Sequence, residues 1–341
     1  MSTPNMAEIA RAAGVGKATV SLALRNDARL RPETRKQIQA IAKKMGYKSN
    51  AVVSNLMAQL RASKDPKYQA TLGLVNASQE RNFLQTNPTF SAVTSGLLRR
   101  SGELGYGVDE FWLREPGIDP TRLRQILRAR NIHGVIVAAM IENISLAREF
   151  DSVWQDLACV TVGIRPEHPA FHFACNDQFS TSYRSAKQLA RLGYKKPGLV
   201  IDLHIEKVID HRFTAGFYAG GIFTGSKERI PVFDFAPDRL KSFSSWLSRH
   251  KPDVLVTTHA ELRNWITELG LKCPKDVGLA HLDINKGMEE WSGMNQKNDL
   301  VGSSAIDLVI GQLHRNESGT PEFPKCVMVE SQWVAGKTLR T

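Results

Sequence analysis

From residue 70 to residue 329, short apolar runs alternate with amphipathic stretches of roughly ten to sixteen residues, and no other feature of the chain restricts its fold as much. The apolar runs are 71–76, 107–112, 134–138, 159–162, 171–174, 198–201, 232–235, 254–257, 277–281 and 326–329. Stretches with helical spacing separate them at 90–104, 120–130, 180–192, 212–223, 238–250, 260–269 and 303–314. Such alternation predicts parallel sheets covered by helices. Ten strands exceed one comfortable doubly wound domain, so the pattern predicts two lobes of about five strands with a cleft between them. Ligands in such folds bind beyond the carboxyl ends of the strands.

The first 64 residues follow another pattern. Residues 6–24, MAEIARAAGVGKATVSLAL, read as two short helices joined by a tight turn. Asn5 and Glu8 have capping-box spacing, and Gly14 sits where a left-handed residue ends a helix at least cost. Gly16 caps a second helix over 17–25, whose Val20 and Leu24 face inward. Lys17, Ala18, Ser21 and Leu22 fall on the opposite face. An apolar back with a front of mainly short side chains is what a helix-turn-helix presents to the major groove. The segment from Gly16 to Thr19 also resembles the end of a phosphate loop, but that motif needs glycine five residues earlier, where Arg11 stands. A third helix is expected at 32–45, with Pro32 at its first position. Residues 50–60 have helical spacing but are too short for an isolated helix in water. Residues 62–67 read as a linker.

Charge supports this division. Residues 1–64 hold twelve Lys/Arg and three Asp/Glu, so they carry +9 of the total +11. A basic head on a nearly neutral body points to a polyanionic partner at one end. The four cysteines, Cys159, Cys175, Cys273 and Cys326, form no C-x-x-C pair and read as small buried hydrophobes in a reducing cytosol. His259 and His281 lack metal-ligand spacing, and neither a metal nor a cofactor is expected. No secretory leader or membrane-spanning apolar run is read from the sequence.

The head resembles the lac-repressor (LacI/GalR) family of bacterial transcription regulators. The likeness rests on 9–15 (IARAAGV), 18–21 (ATVS), Thr34-Arg35 and Gly46-Tyr47, in the family's order and spacing. Asn50 and Leu56 match its hinge helix. In the body, Asn87-Pro88-Thr89-Phe90, Leu192-Gly193-Tyr194 and the segment 276–283 ending in Asp283 are similar to family motifs. The resemblance implies a small all-α helix-turn-helix head at 1–48, a hinge helix and linker at 49–69, and an α/β two-lobed, periplasmic-binding-protein-like sensing and dimerisation body at 70–341. The lobes are expected at 70–163 with 295–322, and at 164–294 with 323–341. The chain departs from the family pattern at Gly16, Leu22, Arg31 and Val53. It also has Thr258-His259-Ala260-Glu261 in place of Asn-Asp, and Arg212 lies four rather than three residues before Gly216-Phe217.

Phosphate contacts position such a head and base contacts specify its site. Thr19, Ser21 and Asn26 suit phosphate or sugar oxygens. Lys17 suits guanine O6 or N7, and Ala18 and Leu22 suit thymine methyls. By the resemblance, Arg29 reaches the groove edge, Asn50 belongs to the hinge, Val53 packs in the minor groove and Leu56 wedges between base steps. Phe90, Asp177, Arg212 and Asp283 are the candidate effector contacts, and an aromatic platform with charged groups suits a sugar among other small polar ligands. The expected protein is a cytoplasmic repressor that binds palindromic double-stranded operator DNA as a homodimer, with a tetramer left open. It is tuned by a small molecule and has no membrane partner. A sugar-binding transport protein is the alternative. An enzyme is disfavoured, since the chain has no nucleophile elbow, Walker loop, zinc motif or dinucleotide fingerprint.

Overall fold

The computed structural model describes residues 6–24, 30–45, 68–225 and 229–340, and the chain divides into two compact units, Met1–Lys67 and Tyr68–Thr341. In the first, α1 (Met6–Ala13), α2 (Lys17–Leu24) and α3 (Pro32–Lys44) enclose Ile9, Ala10, Val20, Ala23, Ile38 and Ala42. Pro32 opens α3 as expected, but Arg31 at its cap makes no side-chain hydrogen bond. Glu33 in the first turn and Lys43 and Lys44 in the last complement the helix dipole instead. The expected Asn5 cap, the hinge helix at 50–60 and the linker at 62–67 lie outside the described residues.

The second unit begins with β1 (Ala70–Asn76), α4 (Phe83–Thr86), α5 (Pro88–Glu103), β2 (Tyr106–Trp112), α6 (Pro120–Ala129), β3 (Gly134–Ala138), α7 (Asp151–Trp154), β4 (Ala158–Val162) and β5 (His172–Asn176). It continues with α8 (Gln178–Arg191), β6 (Pro197–Ile201), α9 (Leu203–Val208), α10 (Arg212–Gly220), β7 (Phe233–Asp234), α11 (Leu240–His250), β8 (Val254–Thr257), α12 (Leu262–Glu268), β9 (Gly278–His281) and β10 (Ser292–Asn295). Then come α13 (Asn298–Arg315), β11 (Cys326–Val329) and β12 (Gln332–Val334).

These strands form two six-stranded sheets. One has the order β11-β5-β4-β3-β1-β2 and is parallel throughout. The other has the order β12-β10-β9-β8-β6-β7, with only β12 antiparallel. The central strands β3, β4, β8 and β9 are buried along their whole length, as expected of parallel strands covered on both faces. On the first lobe α5 and α13 touch backbone to backbone. A side chain at Gly96 would lie 1.9 Å from the Asp299 carbonyl oxygen, and one at Gly302 would lie 1.9 Å from that of Val93.

Three expectations need correction. Each lobe has six strands rather than about five: all six of the first sheet were among the expected runs, with β5 and β11 assigned to the other lobe, whereas β10 and β12 of the second were not anticipated. β10 reads Ser-Gly-Met-Asn, too short and too mixed to carry a strand pattern, and β12 is a three-residue edge. The lobe boundaries also move. β5 and β11 belong to the first sheet, so the chain crosses between lobes after Asn176, after Asn295 and after Val329, not near 163 and 322. Cys326 is exposed on the edge strand β11 rather than buried, whereas Cys159 and Cys175 are buried as expected.

Candidate DNA-binding and effector sites

In the head, Gly14 takes a φ of 65° and ends α1. The Val15 amide donates to the Ala10 carbonyl at 3.0 Å, which satisfies one of the carbonyls left open at the helix end. The chain then turns directly into α2, whose first interior amide, Val20 N–H, donates to the Gly16 carbonyl at 3.1 Å. Val20 and Ala23 are fully buried against α1 and α3, while Leu24 is half-buried at the margin of that cluster. Gln39 on α3 donates through Nε2 to the Ala23 carbonyl at 2.8 Å, tying α3 to the last turn of α2.

That anchoring fixes which face of α2 turns toward the core. Leu22 and Thr19 are half-buried, and among the described residues Leu22 is not part of the apolar cluster. Lys17, Ala18 and Ser21 belong to α2. Asn26, Arg29, Asn50, Val53 and Leu56 lie outside the described residues.

The four candidate effector residues fall into three settings. Phe90 is 7% exposed and packs in the first-lobe core, its ring 5.5 Å from that of Phe83. It is therefore a core residue here and not an open platform. Asp177 caps α8, accepting the Ser180 amide at 3.0 Å, and its Oδ1 lies 3.6 Å from Arg212 Nη2. Arg212 also donates to the Met328 sulfur at 3.3 Å.

Asp283 is 8% exposed and joins the lobes. The Thr89 hydroxyl, from the first lobe, donates to its Oδ2 at 2.6 Å, and Asn298 Nδ2 donates to its Oδ1 at 2.8 Å. Asn176 Nδ2 in turn donates to Asn298 Oδ1 at 3.1 Å and to the Gln296 carbonyl at 2.8 Å. Burial pushes the Asp283 carboxyl up from its ordinary value, and the Thr89, Asn298 and Asn285 hydrogen bonds oppose that shift. The network sits where two of the three crossovers leave the lobes. It uses polar groups that a ligand would otherwise reach.

An additional site lies at the carboxyl ends of β6, β7 and β8, where the sheet rule directs a search. A cavity of about 440 Å³ is lined by Asp202, Phe235, His259, Glu261 and Trp265, among others. His259 stacks on Phe235 with ring centroids 4.0 Å apart, and Trp265 stacks on Phe235 from 4.7 Å. Burial lowers the His259 pKa, against the pull of Glu261 and Asp202, and its Nε2 has no hydrogen-bond partner. The replacement of Asn-Asp at 258–261 was the sequence signal for this place. Sequence reasoning did not gather the aromatic rings around it.

Comparison with known proteins bears on both units. Residues 5–50 match the family described as bacterial regulatory proteins, lacI family. The HTH-type transcriptional regulator MalR of Streptococcus pneumoniae serotype 4 is 22% identical over 317 residues, covering 91% of this chain and 93% of that protein. The HTH-type transcriptional regulator DegA of Bacillus subtilis is 24% identical over 232 residues, covering 66% of this chain and 58% of that protein. Among solved structures, the transcriptional regulator CelR–cellobiose complex superposes with a TM-score of 0.61 at 18% identity, covering 98% of this chain and 99% of that one. The lac repressor dimer bound to operator and the anti-inducer ONPF gives 0.57 at 16% identity, covering 99% of each chain. These structural likenesses establish the shared fold of a head and two α/β lobes.

Proposed function

We propose that this chain, whose residues 5–50 match the lacI family of bacterial regulatory proteins, is a DNA-binding transcriptional regulator and acts as a repressor. In this reading it acts as a homodimer on two-fold symmetric operator DNA and is controlled by a small molecule held by the second lobe at the carboxyl ends of β6, β7 and β8. The observation that carries the DNA reading is the anchoring of α2 by its inner face. The helix is clamped from behind by Val20, Ala23 and Gln39, and among the described residues Leu22 is not part of the apolar cluster. Lys17 and Ala18 in its first turn and Leu22 one turn later read base edges, Thr19, Ser21 and Asn26 hold the backbone, and Arg29 reaches the groove edge. Asn50, Val53 and Leu56 supply a minor-groove wedge. The setting is the bacterial cytoplasm, where the protein binds the chromosome. Among the described residues no helix is long and apolar enough to cross a membrane.

The effector belongs beside His259 and not in the Thr89–Asp283 contact, which the protein fills itself. Phe235 and Trp265 are core residues that back the site, and the His259 imidazole with its unpartnered nitrogen and two nearby carboxylates offers hydrogen-bonding groups that suit a polyhydroxylated ligand such as a sugar. The solved CelR complex carries cellobiose. Asp283 and the Asp177–Arg212 pair then act as hinge contacts, whose strength sets the balance between two lobe arrangements. A ligand shifts that balance only by its differential affinity.

Selection of bound duplexes from a random pool tests the DNA reading. A palindrome with a flexible pyrimidine–purine step at its centre is expected. Recovery of no preferred sequence, with and without candidate sugars, would count against it and favour a sugar-binding protein without a DNA role.

A further inference from the structure

Cys175 and Cys326 are separated by 151 residues in sequence, yet their Sγ atoms lie 4.0 Å apart. They occupy neighbouring parallel strands, β5 and β11, in a register that sets Cys326 opposite Phe173 and Met328 opposite Cys175. Side chains two apart on a strand share a face. Cys175, Cys326 and Met328 therefore project from the same side of this strand pair. All three line one cavity of about 270 Å³, together with Arg165, Gln178 and Arg212. Cys175 is buried and Cys326 is exposed, so the cavity has a closed end and an open one.

We propose that Cys175, Cys326 and Met328 form a three-sulfur binding site for a soft monovalent d10 cation of the copper(I) class. Thiolate and thioether sulfur select such ions over hard or borderline ones. The spacing agrees with this. Two metal–sulfur bonds of about 2.3 Å span the observed 4.0 Å at an S–metal–S angle of about 120°, the value for three-coordinate planar geometry. Met328, which lines the same cavity and whose sulfur accepts from Arg212 Nη2 at 3.3 Å, exchanges that contact to become the third ligand. A four-ligand zinc site is not available, because among the described residues no group of three or more His, Cys, Asp or Glu side chains is placed to hold a metal.

Charge agrees as well. Two thiols and one monovalent cation give a bis-thiolate complex of net charge −1 and two released protons. The Arg165 and Arg212 guanidinium groups in the cavity wall offset that charge. A direct disulfide fits less well. The two cysteines are diagonal in the register, which puts their Cα atoms about 8 Å apart at ordinary strand spacing, beyond the roughly 7 Å that a disulfide spans. The site also touches both lobes, since Arg212 comes from α10 of the second lobe. Cys175 and Cys326 lie on the two strands that lead into the first and last crossovers.

The experiment uses the full-length chain, reduced and under argon, with copper(I) delivered from a chromophoric chelator. One copper(I) per chain is expected, with a thiolate-to-metal absorption band in the near ultraviolet. Cys326→Ser should weaken binding by about 100-fold and Met328→Leu by about 10-fold, as loss of a ligand or of a weaker donor does. Cys273→Ser should leave it unchanged. Unchanged affinity in Cys326→Ser would overturn the site. So would a reduced chain that takes no copper(I) but forms a Cys175–Cys326 disulfide on mild peroxide treatment. Thermal midpoints of both variants close to that of the parent exclude misfolding as the cause of any loss.

Discussion

The head and the body solve the same problem, presenting polar groups to a partner, in opposite ways. The head buries six apolar residues among those described, three of them alanines, and leaves the front of α2 free of its core. Its working surface follows from a local pattern of some twenty residues. The body buries two large sheets, and its central polar groups are already engaged with each other across the lobes, as Asp283 is with Thr89 and Asn298. A surface held by a small core is sensitive to any loss of that core. A surface held by a polar network is sensitive to pH and to the loss of a partner.

The largest expected effect separates the two units. Ile38→Ala removes about 2–5 kcal/mol from a head whose whole stability is of that order. Specific DNA binding should fall by more than 100-fold while the thermal transition of the body stays in place, read by mobility shift and calorimetry. A joint shift of both would erase the distinction. Asp283→Ala should do the reverse. It leaves the Thr89 hydroxyl unpaired, at about 1–3 kcal/mol, and leaves the Asn298 amide with only its longer bond to Asn285 Oδ1 at 3.4 Å. The body's midpoint should drop by several degrees, while the head's fluorescence-detected DNA binding at low temperature is preserved.

Acidification sharpens the contrast further. Burial depresses the His281 pKa from 6.5 to about 3. The folded body therefore binds fewer protons than the unfolded chain between those values, so its stability is complete above about pH 6.5 and falls as pH drops toward 3. His259 is shifted in the same direction. His281→Asn should flatten the body's pH–stability profile in that window. An unchanged profile would mean that the buried imidazole is not responsible. The smallest effect belongs to the α2 front: Leu22→Ala should cost about 1–3 kcal/mol at one symmetric pair of base positions and little elsewhere. A uniform loss across sequences would make Leu22 a packing residue.

The same contrast explains what the sequence disclosed. Gly14, Val20 and Pro32 declare a helix-turn-helix because their meaning depends on neighbours a few residues away. Alternating apolar runs disclosed ten of the twelve strands for the same reason. β10 escaped because Ser292–Asn295 earns its burial from β9 and β12 on either side, not from its own composition. The partners of Asp283 were illegible too, since Thr89 lies 194 residues away from it. The family-like motif at 87–90 makes Phe90 a candidate platform, yet the fold turns its ring into the core beside Phe83. The absence of a C-x-x-C pair makes Cys326 read as a small buried hydrophobe, whereas its strand forms the sheet edge and leaves it exposed.

The most direct test of the account is the affinity of the full-length chain for its selected duplex as a function of salt, with the number of chains per duplex counted in the same titration. Two chains per duplex and a slope of roughly six to ten released counterions are predicted for paired basic heads gripping the backbone. One chain per duplex, or an affinity that scarcely changes with salt, would contradict it.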